Sequence, residues 1–299
     1  VSADEAALAD LVTFAGLEVS SHDLEPWAEV LADLRRHAIV SDEEAYWLVK
    51  LYNAYDDLGS AWRVFRRWGS PREWAVSPTA AQAADYPCTN ERRNLRGGKV
   101  LRHLDSYVAH LADQSQARWI NTGLAPAGAP PEADFRALFG HLRQVWGVGR
   151  QTAFEWCEFL AKVLDVPVRA PDAELWESEG PRRSLQRLYG NDRPTLDWLN
   201  ARATATRERL AAAGVPLEWE DFETVICDFN VMRDGRYYPG KHLAALRAEI
   251  ESVPEPADRA VLAASFARVV PPGWRDIEPG VDNGLAGHYR RTGRMVAAP

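Results

Sequence analysis

The chain has 299 residues, 46% of them hydrophobic and 26% charged, with a formal net charge of −8, which suits a folded protein with a full core and, by its length, two subdomains. No stretch approaches the roughly 18 apolar residues of a membrane span, and the acidic start, Val1-Ser2-Ala3-Asp4-Glu5, is unlike a signal peptide. Three scattered cysteines, Cys88, Cys157 and Cys227, suit neither a disulfide framework nor a zinc knuckle; a soluble protein of a reducing, cytoplasmic compartment is expected.

Apolar residues at helical spacing predict helices over 5–15 and 25–38. Ser41-Asp42-Glu43-Glu44 is a capping box, in which the Ser hydroxyl takes the Glu44 amide and the Glu side chain reaches back. The helix it opens carries Trp47, Leu51, Ala54, Tyr55 and Leu58 on one face, and Tyr46, Lys50, Asn53 and Asp57 on the next. Gly59-Ser60 is expected to interrupt it, and Gly69-Ser70-Pro71 to stop the resumed segment from Ala61 to Trp68. Further helices are predicted at 98–113, 132–145, 150–165, 195–213, 241–252 and 256–268. The stretch from Asn121 to Pro131, rich in Gly and Pro, is the expected boundary between an N-terminal helical subdomain (1–120) and a second helical subdomain (121–299). Val166 to Gly180 reads as acidic and irregular, and the tail after Pro271 as a surface wrap. Few strand signals occur, so the fold class is all-α. Most of the twelve tryptophans, about nine, sit at helical spacing and are expected in the core.

The net charge argues mildly against a nucleic-acid partner, but phosphate binding depends on local potential. Between Thr89 and Leu104 the chain sets Arg92, Arg93, Arg96, Lys99 and Arg102 against one acid, Glu91. Arg63, Arg66 and Arg67 form a second basic group. A basic groove on an acidic protein is therefore open.

Three segments carry possible chemistry. Gly147-Val148-Gly149-Arg150 followed by Thr152 lies between two apolar helical segments. Paired glycines there permit a tight turn that exposes backbone amides at a helix N-terminus, a grip for a DNA phosphate; an ordinary helix–helix turn with a glycine cap is the plainer alternative. In Tyr86-Pro87-Cys88-Thr89-Asn90-Glu91-Arg92-Arg93-Asn94-Leu95-Arg96, the guanidinium forks suit pyrophosphate. A solvated charged face is the alternative. Cys88 would have a lowered thiol pKa if it faced those cations. The third segment runs from Val225 through Cys227, Asp228 and Asn230 to Gly235-Arg236-Tyr237-Tyr238-Pro239-Gly240-Lys241. Its adjacent tyrosines offer rings for base stacking, or else pack on the core. No Walker loop, dinucleotide fingerprint or H-E-x-x-H is present and the histidines lack ligand spacing, so ATP, NAD and zinc chemistry have no support and no cofactor is expected.

The glycine turn between its two helices resembles the element of helix-hairpin-helix DNA glycosylases. The likeness departs at two points: Gln151 stands near their hairpin Lys, and Asp172 follows the glycines later than their catalytic Asp. Taken with Asn53 and Tyr55 in Tyr52-Asn53-Ala54-Tyr55, the cluster Arg92, Arg93, Arg96 and Lys99, and the Cys227 to Gly240 segment, the chain over roughly residues 40–250 resembles the bacteriophage amino acid:DNA transferases, also known as alpha-glutamyl/putrescinyl thymine pyrophosphorylases. A related helical domain accompanies 5-hydroxymethyluracil DNA kinases, whose P-loop is missing here.

The resemblance implies a helix-hairpin-helix glycosylase-like fold and an enzyme of the phage-infected bacterial cytoplasm. It implies replacement of the pyrophosphate of 5-(pyrophosphoryloxymethyl)uracil in DNA by a small amine, an amino acid or polyamine. The arginines and Lys99 would then hold pyrophosphate, and Asp172 or Asp228 would take the proton of the amine. Cys88 or Cys227 would serve a covalent route through uracil C6. Gly147, Val148, Gly149, Arg150 and Thr152 would grip DNA, Tyr237 and Tyr238 would stack on a base, and Asn53 and Tyr55 would line the pocket. Two other readings are a helix-hairpin-helix glycosylase and a non-catalytic DNA-binding protein.

Overall fold

The computed structural model describes residues 4–276, 289 and 291–295. Among them all regular structure is helical, with fourteen α-helices and no strand. In chain order these are α1 (Glu5–Ser21), α2 (Pro26–Arg36), α3 (Asp42–Tyr55), α4 (Leu58–Arg67), α5 (Pro71–Val76), α6 (Gly98–Leu111) and α7 (Gln116–Thr122). There follow α8 (Pro131–Leu142), α9 (Arg150–Leu164), α10 (Glu179–Tyr189), α11 (Leu196–Ala212), α12 (Trp219–Arg233), α13 (Lys241–Glu251) and α14 (Pro256–Val269). Short 3₁₀ turns occur twice between α5 and α6, once between α9 and α10, and once after α14.

The chain divides into two compact units, each discontinuous in sequence. One comprises residues 1–26, 170–245 and 270–299; the other comprises 27–169 and 246–269. A single cut after residue 120 falls inside the second unit, as does the Asn121 to Pro131 stretch, which joins α7 to α8. Gly and Pro there mark a largely exposed loop inside one unit, whose flanking helices are held together because α7 packs on α3, and α8 on α9, which packs on α3.

In the first unit, α10 packs on α12, and α1 on the same helix. Leu8, Leu11 and Phe14 meet Leu185, Leu188, Phe222, Val225, Ile226 and Phe229 in one apolar cluster. The spacing of Phe222, Val225, Ile226 and Phe229 is helical, yet α12 is absent from the helices expected from the sequence. The start of α10 lies inside the stretch expected to be irregular. Most of the tail expected to wrap the surface lies outside the described residues.

The second unit is built on α3, buried along its whole length from Ala45 to Tyr55. Its capping box forms as the sequence predicts. The helix ends at Asp56, in the left-handed region at φ 55°, and Asp57 caps α4 by accepting from the Ser60 amide at 2.6 Å. The break therefore comes before Gly59-Ser60. Gly59 lies inside α4, where a Cβ would come within 2.5 Å of Ser252 Oγ and 2.6 Å of the Glu249 carbonyl oxygen. Close approach, not chain breaking, requires that glycine. Trp47, Tyr107, Trp119 and Trp156 form a run of ring contacts across α3, α6, α7 and α9. Seven tryptophans are buried and Trp176 is exposed. Among the described residues, no helix is long and apolar enough to cross a membrane.

Candidate active site

The glycine turn joins α8 to α9 within the second unit. Gly147 has φ 85°, a region open to glycine at no steric cost, and a Cβ there would approach Leu95 Cδ2 to 3.0 Å and His103 Nδ1 to 3.2 Å. Gly149 is the N-cap of α9 and supplies no side-chain cap, so the first-turn amides remain for an anion. A Cβ on Gly149 would meet nothing within 4 Å. The neighbouring side chains turn inward: Val148, Arg150 and Thr152 are buried, and the Arg150 guanidinium lies over the Phe154 ring. Any grip at this turn is thus made by backbone, which narrows the expectation for those three residues.

Two side chains fix the turn from below. His103 Nδ1 donates to the Trp146 carbonyl at 2.7 Å, and Lys50 Nζ donates to His103 Nε2 at 2.6 Å. Lys50 also lies 3.8 Å over the Trp156 ring. Complete burial pushes the Lys50 ammonium well below its ordinary range, aided by the nearby Arg92 charge. His103 is lowered by burial and by Lys50, so it stays neutral and can accept from the lysine.

Arg92 is the hub of the site. Its Nε donates to the Asn53 carbonyl at 2.7 Å, its Nη2 to Glu155 Oε2 at 2.5 Å, and Asp56 Oδ1 lies 4.0 Å away. Asn53 Nδ2 in turn donates to the Thr152 carbonyl at 3.0 Å. The end of α3, the segment before α6 and the helix after the glycine turn thus converge on one guanidinium. Arg92 is 1% exposed. Glu155 and Asp56 hold it charged against the cost of burial, so the side chain expected to face pyrophosphate is instead an internal strut. Arg93, Arg96 and Lys99 are exposed beside it. Arg96 donates to Asn90 Oδ1 at 2.6 Å and Arg93 to the Asn90 carbonyl at 3.3 Å.

The profile of the amino acid:DNA transferase family matches residues 19–236, well over half of the chain. The chain belongs to that family. The transferase is an enzyme acting on modified thymine in DNA. No curated protein was found to match it.

The other sequence-derived residues of the transferase fall in two places. Tyr55 is fully buried, donating to the Ala83 carbonyl at 2.8 Å. Cys88 lies in the second unit, half-buried. Burial pushes its thiol up to about 11, outweighing Arg96 and Arg92, which corrects the expectation of a lowered pKa. Asp172, Cys227, Asp228, Tyr237 and Tyr238 belong to the first unit. Asp172 accepts from the Glu174 amide at 2.8 Å in a local turn, and Cys227 packs on Gly180. Tyr237 and Tyr238 are 2% and 7% exposed. The expectation of stacking platforms is corrected: their faces are already covered by protein.

Tyr237 instead belongs to a polar knot that sequence reading missed. Its hydroxyl is 2.9 Å from Glu18 Oε2 and 2.7 Å from Asp23 Oδ2. Asp23 also accepts from the Gly240 and Leu243 amides, anchoring the start of α13. Asp228 lies 3.9 Å from His242, and burial raises its pKa to about 6. Burial, with Asp23 and Asp228 adding to it, holds Glu18 well above the usual carboxylate range. In the second unit the missed residues are Asp56, Glu155 and Glu249. Asp56 stands between Tyr55 and Asp57, which the sequence reading assigns to two neighbouring faces, and Glu155 lies one turn beyond Thr152 on a face that reads as ordinary helix.

Proposed function

We propose that the enzyme replaces the pyrophosphate of 5-(pyrophosphoryloxymethyl)uracil in DNA by an amine, on a helix-hairpin-helix scaffold of the DNA glycosylase type. The observation that carries this reading is the seating of the basic segment against the glycine turn, where Leu95 packs on Gly147. Arg93, Arg96 and Lys99, exposed and within four residues of Leu95 in the chain, are the cations this reading assigns to pyrophosphate, and the uncapped first turn of α9 is its phosphate grip. Backbone amides hold a DNA phosphate, and the exposed cations stabilise the charge that builds on departing pyrophosphate. The exocyclic methylene is hemmed in within a stacked duplex, so the modified base leaves the stack to react.

The thiol of Cys88 bears on the route. With a pKa of about 11, only about one molecule in ten thousand carries the thiolate at pH 7. That favours direct attack by the amine over prior addition of Cys88 to uracil C6.

The test is nucleoside mass analysis of pyrophosphorylated DNA after incubation with candidate amines, with pyrophosphate release followed in parallel. Amine-dependent conversion of the base with matching pyrophosphate release is expected. Abasic sites formed without amine would assign a glycosylase instead, and unchanged nucleosides a binding protein.

A further inference from the structure

The proposed displacement needs an amine without its third proton, since the protonated form has no lone pair for the methylene. Several carboxylates could take that proton, and their surroundings separate them. Asp172 is engaged in its own turn, and Asp228 shares its knot with Glu18 and Asp23, whose burial and like charges already disfavour ionisation. Glu155 stands elsewhere, on the helix that follows the glycine turn and against the Arg92 strut.

Three observations meet at Glu155. Its side chain and that of Asp56 each keep 17% exposure although both lie by the buried Arg92. Two carboxyl groups lie by one guanidinium there. Asp56 is held in the left-handed region at φ 55°, fixed by the Thr89 hydroxyl, which donates to its Oδ2. The third observation is independent. Asn53 is 2% exposed, and its Oδ1 accepts no hydrogen bond from any described residue. A buried acceptor without a donor is costly. The amide cannot turn over to relieve it, because Nδ2 is committed to the Thr152 carbonyl. A primary ammonium carries three donors; Asn53 precedes Asp56 by three residues and is bonded through Nδ2 to Thr152, three residues before Glu155, which links its unpartnered Oδ1 to the segments that carry the two carboxylates.

We propose that Glu155 is the base that accepts the proton of the attacking amine, with Asp56 and Asn53 holding the ammonium beside it; this rests on the transferase reading above. One N–H bond of the ammonium breaks and its proton passes to a Glu155 oxygen. The freed lone pair forms the N–C bond to the exocyclic methylene as the C–O bond breaks, and that electron pair leaves with pyrophosphate. The charged and titratable groups around Glu155 are Arg92 from the basic segment, Asp56 at the C-cap of α3 and Glu158 from its own helix. Burial, opposed by Arg92, leaves the carboxyl at about 7, which matches a base working near neutrality.

The experiment compares Glu155→Gln with the parent full-length enzyme on pyrophosphorylated DNA, using two amines at pH 7: glycine, whose amine is protonated, and hydroxylamine, already largely unprotonated. The expected loss for glycine is about 10²–10⁴-fold in rate, while hydroxylamine transfer stays within a few fold of the parent. Equal loss with both amines, or none with either, would overturn the proposal. Glu155→Asp, which keeps a negative charge beside Arg92, guards against misfolding; it is expected to retain part of the glycine rate, and a glycine rate no better than that of Glu155→Gln counts against the base. Transfer of neither amine by the parent would instead overturn the transferase reading itself.

Discussion

Lys50 and Glu249 show at the level of single side chains how burial decides what a charged residue can do. Lys50 reads in sequence as one member of a polar stripe, yet it is 0% exposed and serves, through His103, to hold the Trp146 carbonyl. Glu249 accepts from Trp27 Nε1 and from the Leu58 amide, each at 2.8 Å. Burial first, then Asp57 and Asp56, raise its pKa from 4.5 to about 8. The folded state therefore binds this proton more tightly than the unfolded chain. Its contribution to stability is fully present below pH 4.5 and is lost as pH rises through about 8. Glu249→Gln keeps an acceptor for both donors but cannot ionise. The variant should gain on the parent in melting temperature between pH 5 and pH 9; a difference that does not change with pH would contradict the assignment.

Among the elements, the glycine turn is the one whose parts have separable roles. Gly147 requires both a positive φ and close approach to Leu95 and His103, whereas Gly149 has ordinary extended dihedrals and open space around it. Gly147→Ala should cost about 1–3 kcal/mol through backbone strain, seen as a lower denaturation midpoint. Gly149→Ala should leave stability within about 0.5 kcal/mol and yet weaken DNA binding, if a phosphate approaches the amides of α9 there. A Gly149→Ala variant with unchanged affinity for DNA would remove the turn from the binding surface. The pattern of two apolar helices around paired glycines was readable in sequence because helical period and glycine chemistry are local. The strut beneath the turn was not, since Lys50, Asn53, Arg92, His103 and Glu155 come from four separate segments.

For the whole molecule the relevant tension is between a net charge of −8 and a DNA substrate. If the exposed Arg93, Arg96 and Lys99 meet the phosphates, as proposed, affinity should fall steeply with salt. Replacing Arg93 and Arg96 by Ala should weaken binding regardless of sequence and lower the log–log salt slope by about 1 for each phosphate that is no longer neutralised. An unchanged slope would place the DNA elsewhere. The family match from 19 to 236 draws on residues of both compact units, which a linear reading divides at residue 120. The amino-acid sequence by itself determined the all-helical class, most helix positions, the glycine turn and the family, because these follow from period, capping and short motifs. Only the tertiary structure decided that Arg92 is an internal strut, that Tyr237 and Tyr238 are core residues, that the Cys88 thiol is raised and that Glu155 stands beside Asp56. The physical reason is the same in each case. A side chain's charge state and reach depend on which distant segments desolvate it and bond to it, and helical periodicity carries no record of those partners. The glycine turn is local enough to be read from the chain alone; the carboxylates beside it are assembled by folding.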